Sequence, residues 1–311
     1  MRNDIKSLCK ASSQVNDEYY TKYESIDKFF SKVLSENFGM FKDKSIVLPC
    51  DNESSNFVRY FIDKQSIMRW KTLSHITYVG KAYGSKLFGT APPHGMITTY
   101  KHGKFDSKQE LSGIGDFRSD EIFNMSKNYD FVITNPPFSL FGDFIKLCVD
   151  TQSKFFVVGT CNKISNNYVS DLFIDKRIVS YDFSGEYITS DGAEICVNTP
   201  CIWSNLRLSQ KKLPKNTYKD LCQDPKVIEY YKDKFDVDIS KDGYPYIDDT
   251  DILEVSKIAY LPCDYKGKMG VTTRISTFDL SDYNILDRLD GDCKGNKLFW
   301  RIVIQKKNCA M

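Results

Sequence analysis

Asp130-Phe131-Val132-Ile133-Thr134-Asn135-Pro136-Pro137-Phe138 is the stretch whose reading decides the fold. Its first part, D-F-V-I-T, is a short β-branched and aromatic run of the kind that forms a strand buried on both faces. It stops at two prolines, which cannot continue a ladder. Behind them Leu140, Phe141, Phe144, Ile145 and Cys148 recur at helical spacing. Strand, stiff turn and amphipathic helix in that order are one repeat of an α/β sheet, and in such sheets ligands sit beyond the carboxyl ends of the strands.

The same alternation extends in both directions. Upstream, Tyr19, Tyr23, Ile26, Phe30, Val33, Leu34 and Phe38 predict a helix from Asp17 to about Phe38. Ser45 to Cys50 (S-I-V-L-P-C) reads as a buried strand, and Asp51-Asn52-Glu53-Ser54-Ser55 as a run of capping residues. Phe57, Val58, Tyr60, Phe61 and Ile62 then give a second helix, and His75 to Val79 a second strand. From Gly80 to about Leu111 the sequence predicts loop with one hairpin. Downstream, Lys154 to Thr160 and Ile178 to Phe183 are strands, and Asp191 to Leu206 reads as a hairpin about Asn198-Thr199-Pro200. The fold class is α/β, a Rossmann-like, mostly parallel sheet with helices on both faces and a late antiparallel hairpin.

The composition shifts near Ser209, where Gln210-Lys211-Lys212-Leu213-Pro214-Lys215-Asn216 reads as a junction. Residues 1–207 are therefore expected to form the sheet domain. Residues 208–311 are expected to form a smaller carboxyl-terminal region of short helical stretches and Gly-rich turns. Two units suit a chain of 311 residues.

With 43 Lys and Arg against 41 Asp and Glu, the net charge of +2 excludes a general polycation, so any nucleic-acid surface is a local patch. The 10 cysteines contain no C-x-x-C pair, and His75, His94 and His102 have no ligand-spaced partner, which argues for buried thiols and against a metal site. No apolar run approaches a membrane span, and nothing after Met1-Arg2-Asn3 resembles a signal peptide, so the expectation is a soluble cytoplasmic protein.

The chemistry concentrates in N-P-P-F. The Asn135 amide oxygen and the Pro136 carbonyl can both accept from one exocyclic amine, and the two prolines fix φ and remove two backbone donors. Phe138 offers a flat face to a planar base. Such a site holds an aromatic NH₂ and draws its nitrogen towards sp³ geometry. The lone pair is then exposed to an electrophile without formal deprotonation.

Here the sequence resembles the adenine-N6 DNA methyltransferases that use S-adenosylmethionine, whose catalytic motif is [DNS]-P-P-[FYW]. The likeness is closer to the EcoRI-type modification methylases. Asp17-Glu18-Tyr19-Tyr20-Thr21 resembles their D-E-F-Y-T and Gly115-Asp116-Phe117-Arg118-Ser119 their G-D-F-R-S. Asn135 to Phe141 resembles their N-P-P-F-S-L-F, and Asp264 to Val271 their D-Y-x-G-x-M-G-V. The pieces keep their order and cover most of the chain. The resemblance implies a methyltransferase sheet in which Asn135, Pro136, Pro137 and Phe138 are catalytic and Tyr20 and Thr21 border the methionine end of the cofactor. Asp116 would accept from the cofactor's adenine amino group and Phe117 pack on its ring. Where most of the superfamily has a Gly-rich loop, Leu48 to Ser54 has no glycine. Pro49 and Cys50 are expected at that turn, with Asp51 near the cofactor's amino group. No acid follows the second strand to take the ribose hydroxyls.

The implied partner is double-stranded DNA with the target adenine flipped out of the stack, at a cost of a few kcal/mol offset by phosphate contacts. Candidate phosphate ligands are Lys211, Lys212, Lys215, Lys219, Lys266, Lys268, Lys306 and Lys307. A cognate restriction endonuclease and a monomeric state belong to the same expectation. The acceptor turn by itself leaves open the same chemistry on cytosine N4, an RNA adenine or a protein glutamine. A DNA-binding homologue without activity is the alternative from another class.

Overall fold

The computed structural model describes residues 20–79, 94–183, 186–188, 194–196, 199–212, 229, 232, 258–260, 268–272, 276–293 and 296–306. Two compact units divide the chain, Met1–Thr160 with Asp182–Leu208, and Cys161–Tyr181 with Ser209–Met311.

In the first unit the elements follow in the order β1 (Tyr20–Thr21), α1 (Tyr23–Glu36), β2 (Ser45–Leu48), α2 (Asn56–Asp63), β3 (Thr72–Thr77), β4 (Met96–Lys101), β5 (Lys104–Glu110), α3 (Asp120–Ser126), β6 (Phe131–Thr134), α4 (Phe141–Asp150) and β7 (Lys154–Thr160). Three further strands, β8 (Glu186–Ile188), β9 (Glu194–Cys196) and β10 (Pro200–Ser204), complete it. Its main sheet runs β5-β4-β3-β2-β6-β7-β10. The central strands β3, β2, β6 and β7 are parallel, and β4, β5 and β10 join antiparallel at the flanks. The chain lays β3 on one side of β2, then crosses to place β6 on the other. The topological switch point therefore lies between β2 and β6.

Strand polarity assigns each face its helices. On β7, Phe156 meets the rings of Phe29, Phe30 and Phe41, which belong to α1 and the turn after it. Residues of the opposite parity face α4, where Gly159 leaves room for Phe141; a Cβ there would lie 2.6 Å from that ring. Ile26, Phe29, Phe30, Val33 and Leu34 form the buried stripe of α1, and Phe141, Phe144, Ile145, Leu147 and Cys148 that of α4. The chain's aromatic surplus is thus largely core. At the amino-terminal edge, Asp130 accepts from Ser45 N–H (2.9 Å), Ser45 Oγ (2.8 Å) and Lys44 (3.1 Å), which clamps the start of β6 to that of β2.

Several elements depart from the sequence reading. The first helix begins at Tyr23, because Tyr20 and Thr21 pair with Ile188 and Tyr187 in a small separate sheet; residues 17–19 lie outside the described set. The hairpin expected between Gly80 and Leu111 is present as β4-β5, but it extends the main sheet; residues 80–93 are not described. The two apolar runs of 191–206 do not pair with each other. β9 pairs with β8, and β10 runs antiparallel to β7, so the late antiparallel closure has a different partner from the expected one.

The second unit contains a helix, Asn167–Ile174, and a strand, Val179–Asp182. A four-stranded antiparallel sheet follows, built on the long hairpin Tyr283–Cys293 and Asn296–Lys306. The sequence reading does not include that sheet; Glu229 and Lys232, the described residues between 213 and 257, are helical. Gln210 ties the unit together by donating to the carbonyls of Ser180 (2.7 Å) and Ser276 (3.1 Å). The side chains of Lys211, Lys212, Lys268 and Lys306, and all of Lys215, Lys219, Lys266, Lys307 and 264–267, lie outside the described residues. No helix among the described residues is long and apolar enough to cross a membrane.

Candidate active site

The carboxyl ends of β2, β3 and β6 open on a cavity of about 200 Å³ that lies wholly within the first unit. Each wall has a local cause. β6 ends at Thr134, and Asn135-Pro136-Pro137 forms an extended turn, with Pro137 at φ −52°, ψ 127°. Leu140 N–H closes back on the Pro137 carbonyl at 3.0 Å, and α4 follows. The Asn135 amide donates to Thr21 Oγ1 (3.3 Å), and the Thr21 carbonyl accepts from Asn56 (2.9 Å). The donor end of the amide is thereby committed to β1, and its oxygen is the end able to accept from a substrate amine.

The G-D-F-R-S segment lines the opposite wall, and each residue has a distinct task. Gly115 adopts φ +81°, and a Cβ on it would stand 2.8 Å from the Thr77 carbonyl, so only glycine lets this loop lie against the end of β3. The Asp116 carboxylate accepts from Arg118 N–H (3.0 Å), Nε (3.0 Å) and Nη2 (2.7 Å). Phe117 is buried and edge-on to Phe144, with centroids 5.0 Å apart. Ser119 caps α3 by accepting from Ile122 N–H, and its hydroxyl donates to the Asp116 carbonyl.

After β2 the turn Pro49 to Ser54 contains no residue at positive φ, which is why it needs no glycine. Asp51 is only 6% exposed. It accepts from Ser55 Oγ and Thr134 Oγ1, both at 2.5 Å, and from Asn135 N–H. Burial outweighs these bonds and pushes its carboxyl up to about 6. The Cys50 thiol is driven well above its usual range by burial, with the charge of Asp51 adding to the effect.

Of the residues picked from sequence, Thr21, Pro49, Cys50, Asp51, Asp116, Phe117, Asn135, Pro136 and Pro137 all line this one cavity. Phe138 does not; it begins the 3-10 turn beyond it, and Leu140 reaches the cavity instead. Tyr20 pairs in β1, and its side chain is outside the described residues. Sequence reasoning missed Asn56, Arg118, and Ile76, Thr77 and Tyr78 at the end of β3. Tyr78 carried a usable signal, an aromatic just past a strand terminus; it is 48% exposed. It follows directly on β3, where the sequence offers no acid for ribose hydroxyls. No group of His, Cys, Asp or Glu among the described residues is arranged to hold a metal ion.

Comparison with known proteins accords with this geometry. The family model for "Adenine-specific methyltransferase EcoRI" matches residues 7–309. The Escherichia coli type II methyltransferase M.EcoRI is 29% identical, with 97% of both chains covered. M.MpnI of Mycoplasma pneumoniae is 26% identical and M.MgeORF184P of Mycoplasma genitalium 25%, each over 90% of this chain and 85% of its own. No solved structure matches the chain. With nearly the whole length matched and residues of three motif segments lining one cavity, the chain belongs to the family of EcoRI-type adenine-specific methyltransferases.

Proposed function

We propose that the switch-point cavity binds S-adenosylmethionine and that Asn135-Pro136-Pro137-Phe138 receives an adenine flipped from duplex DNA. Adenine-specific DNA methylation is the activity of the family; the proposal concerns how these residues carry it out. The single observation that supports it most is that the acceptor turn and the Asp116-Phe117 pair line the same cavity.

The lining suits the cofactor's chemistry. A buried carboxylate at one wall, Asp51, faces the ammonium, with Pro49 and Cys50 forming the turn beside it. Tyr20 and Thr21 border the methionine end. Asp116 accepts from the adenine amino group, Phe117 packs on the ring, and Gly115 lets the loop approach. When bound, S-adenosylmethionine supplies an electrophilic methyl group on a sulfonium. Asn135 Oδ1 and the Pro136 carbonyl hold the two N–H groups of the target adenine, which directs its lone pair out of the ring plane. Phe138 stacks on the flipped base. Residues 208–311 contact and read DNA, with lysines of that region neutralising phosphates. The protein acts in the cytoplasm as a monomer, beside a cognate restriction endonuclease for the same site.

The test is to incubate the protein with labelled S-adenosylmethionine and genomic DNA and to map the modified base. Asn135→Ala is expected to abolish methyl transfer with an unchanged circular-dichroism spectrum. Transfer at the wild-type rate by that variant would refute the mechanism.

A further inference from the structure

The acceptor turn stands beyond the reach of the sheet's own hydrogen bonds. Pairing of β6 with β7 ends at Thr134 and Val157, and pairing of β6 with β2 ends earlier, at Val132 and Val47. Asn135 is therefore one residue past the last ladder pair on the β7 side and three past it on the β2 side. Pro136 and Pro137 have no N–H, so the only backbone donor between Thr134 and Phe138 is that of Asn135. It donates to Asp51, whose carboxylate also takes the Thr134 hydroxyl and, from the N-cap of α2, the Ser55 hydroxyl. One buried side chain from the end of β2 thus spans the switch point and gathers donors from β6, the acceptor turn and α2.

We infer that Asp51 is the positioning residue of the acceptor turn: it fixes the Thr134-Asn135 peptide, and with it the direction in which the Asn135 amide and the Pro136 carbonyl face the substrate amine. This rests on the proposed role of Asn135. A carboxylate suits the task better than a neutral acceptor, because it accepts from all three donors without needing a partner for a proton of its own, and its hydrogen bonds are roughly twice as strong as neutral ones. Acceptor geometry matters on a scale of roughly 0.5 Å, which a turn held only by prolines does not secure. Since Asp51 also lines the cavity, the group that faces the cofactor is the one that sets the turn.

The test separates positioning from binding and from folding. Thr134→Val keeps the shape of a fully buried side chain and removes one donor to Asp51. Labelled-methyl incorporation into genomic DNA at saturating S-adenosylmethionine is expected to show kcat lowered about tenfold, the effect of one charge-assisted hydrogen bond. The Kd for S-adenosylhomocysteine, measured by calorimetry, is expected to stay within about twofold. Thr134→Ser, which keeps the hydroxyl, is expected to recover most of the rate. Wild-type kcat in Thr134→Val, equal losses in the valine and serine variants, or a loss confined to cofactor affinity would each overturn the assignment. If the valine variant fails to fold, Asp51→Asn serves, alone and with Thr134→Ser. The expected outcome is a lower kcat in Asp51→Asn, alone and in the double variant; an unchanged kcat, or a loss confined to cofactor affinity, would overturn it. Activity in Asn135→Ala would instead overturn the underlying reading, whereas an inactive Asn135→Ala beside a fully active Thr134→Val would overturn the positioning role alone.

Discussion

Replacing Asp51 by Asn should shift the stability difference progressively in favour of the variant as the pH rises. In the folded chain burial lifts this carboxyl from its ordinary 3.8 to about 6. Between those values the folded state holds a proton that the unfolded chain has released, so wild-type stability falls as the pH climbs through the window. At about 1.4 kcal/mol for each pH unit, the ionised carboxylate costs on the order of 3 kcal/mol by pH 7. Asparagine carries no such charge, and whatever it loses in hydrogen bonding is constant with pH. Of the neighbouring groups, the Cys50 thiol is pushed upward and stays neutral, and burial holds His75 below its ordinary value in wild type and variant alike. Asp116, on the opposite wall, is paired with Arg118 in both. Urea unfolding can be followed through the fluorescence of Trp70 and Trp203, both fully buried in the first unit. The stability difference, variant minus wild type, is expected to shift by about 2 kcal/mol in favour of the variant between pH 4.5 and pH 7.5. A difference independent of pH, or one of opposite slope, would refute the reasoning.

Gly115→Ala should be severe for its size, since φ +81° disfavours any side chain and the new Cβ would meet the Thr77 carbonyl. We expect a loss of about 2 kcal/mol or more in urea melts together with weakened S-adenosylhomocysteine binding, and full retention of both would contradict the packing argument. Arg118→Ala should leave stability within about 1 kcal/mol, because its guanidinium is half exposed, yet reduce cofactor affinity in calorimetry by releasing Asp116. Unchanged affinity would detach Arg118 from the site. Ser55→Ala removes the α2 cap and one donor to Asp51, and should cost about 1 kcal/mol; a neutral result would show that the cap is replaced by water.

The sheet was legible where one physical signal dominated. Lys154–Thr160 is bounded as read, because a β-branched run buried on both faces has no competing pattern. The helix read from Asp17 was extended too far, since Tyr19 and Tyr23 satisfy helical spacing while Tyr20 and Thr21 are taken by Ile188 and Tyr187, more than 160 residues away. The same blindness to distant partners hid the pairing of Pro200–Ser204 with Lys154–Thr160. It also left the hairpin Tyr283–Cys293 with Asn296–Lys306 unread, since Leu289, Trp300 and their neighbours alternate too irregularly to distinguish strand from short helix. A contact between residues far apart in sequence leaves no local trace.

At the site the legible residues are those whose chemistry is bound to a short motif. Asn135 and Asp116 announce themselves through N-P-P-F and G-D-F-R-S, whereas Asn56 is an ordinary helix residue until the fold brings it to the Thr21 carbonyl. The apparent defect, a first turn without glycine, has a physical resolution. Glycine is favoured where φ is positive and needed where backbone must approach backbone, and beside this cavity both demands fall on Gly115, against the end of β3, and the approach alone on Gly95, whose Cβ would lie 2.7 Å from the Gly115 nitrogen. The turn after β2 is left with ordinary φ values and can carry side chains. Asp51 is one of them, and a glycine at that position would have had no carboxylate with which to span the switch point.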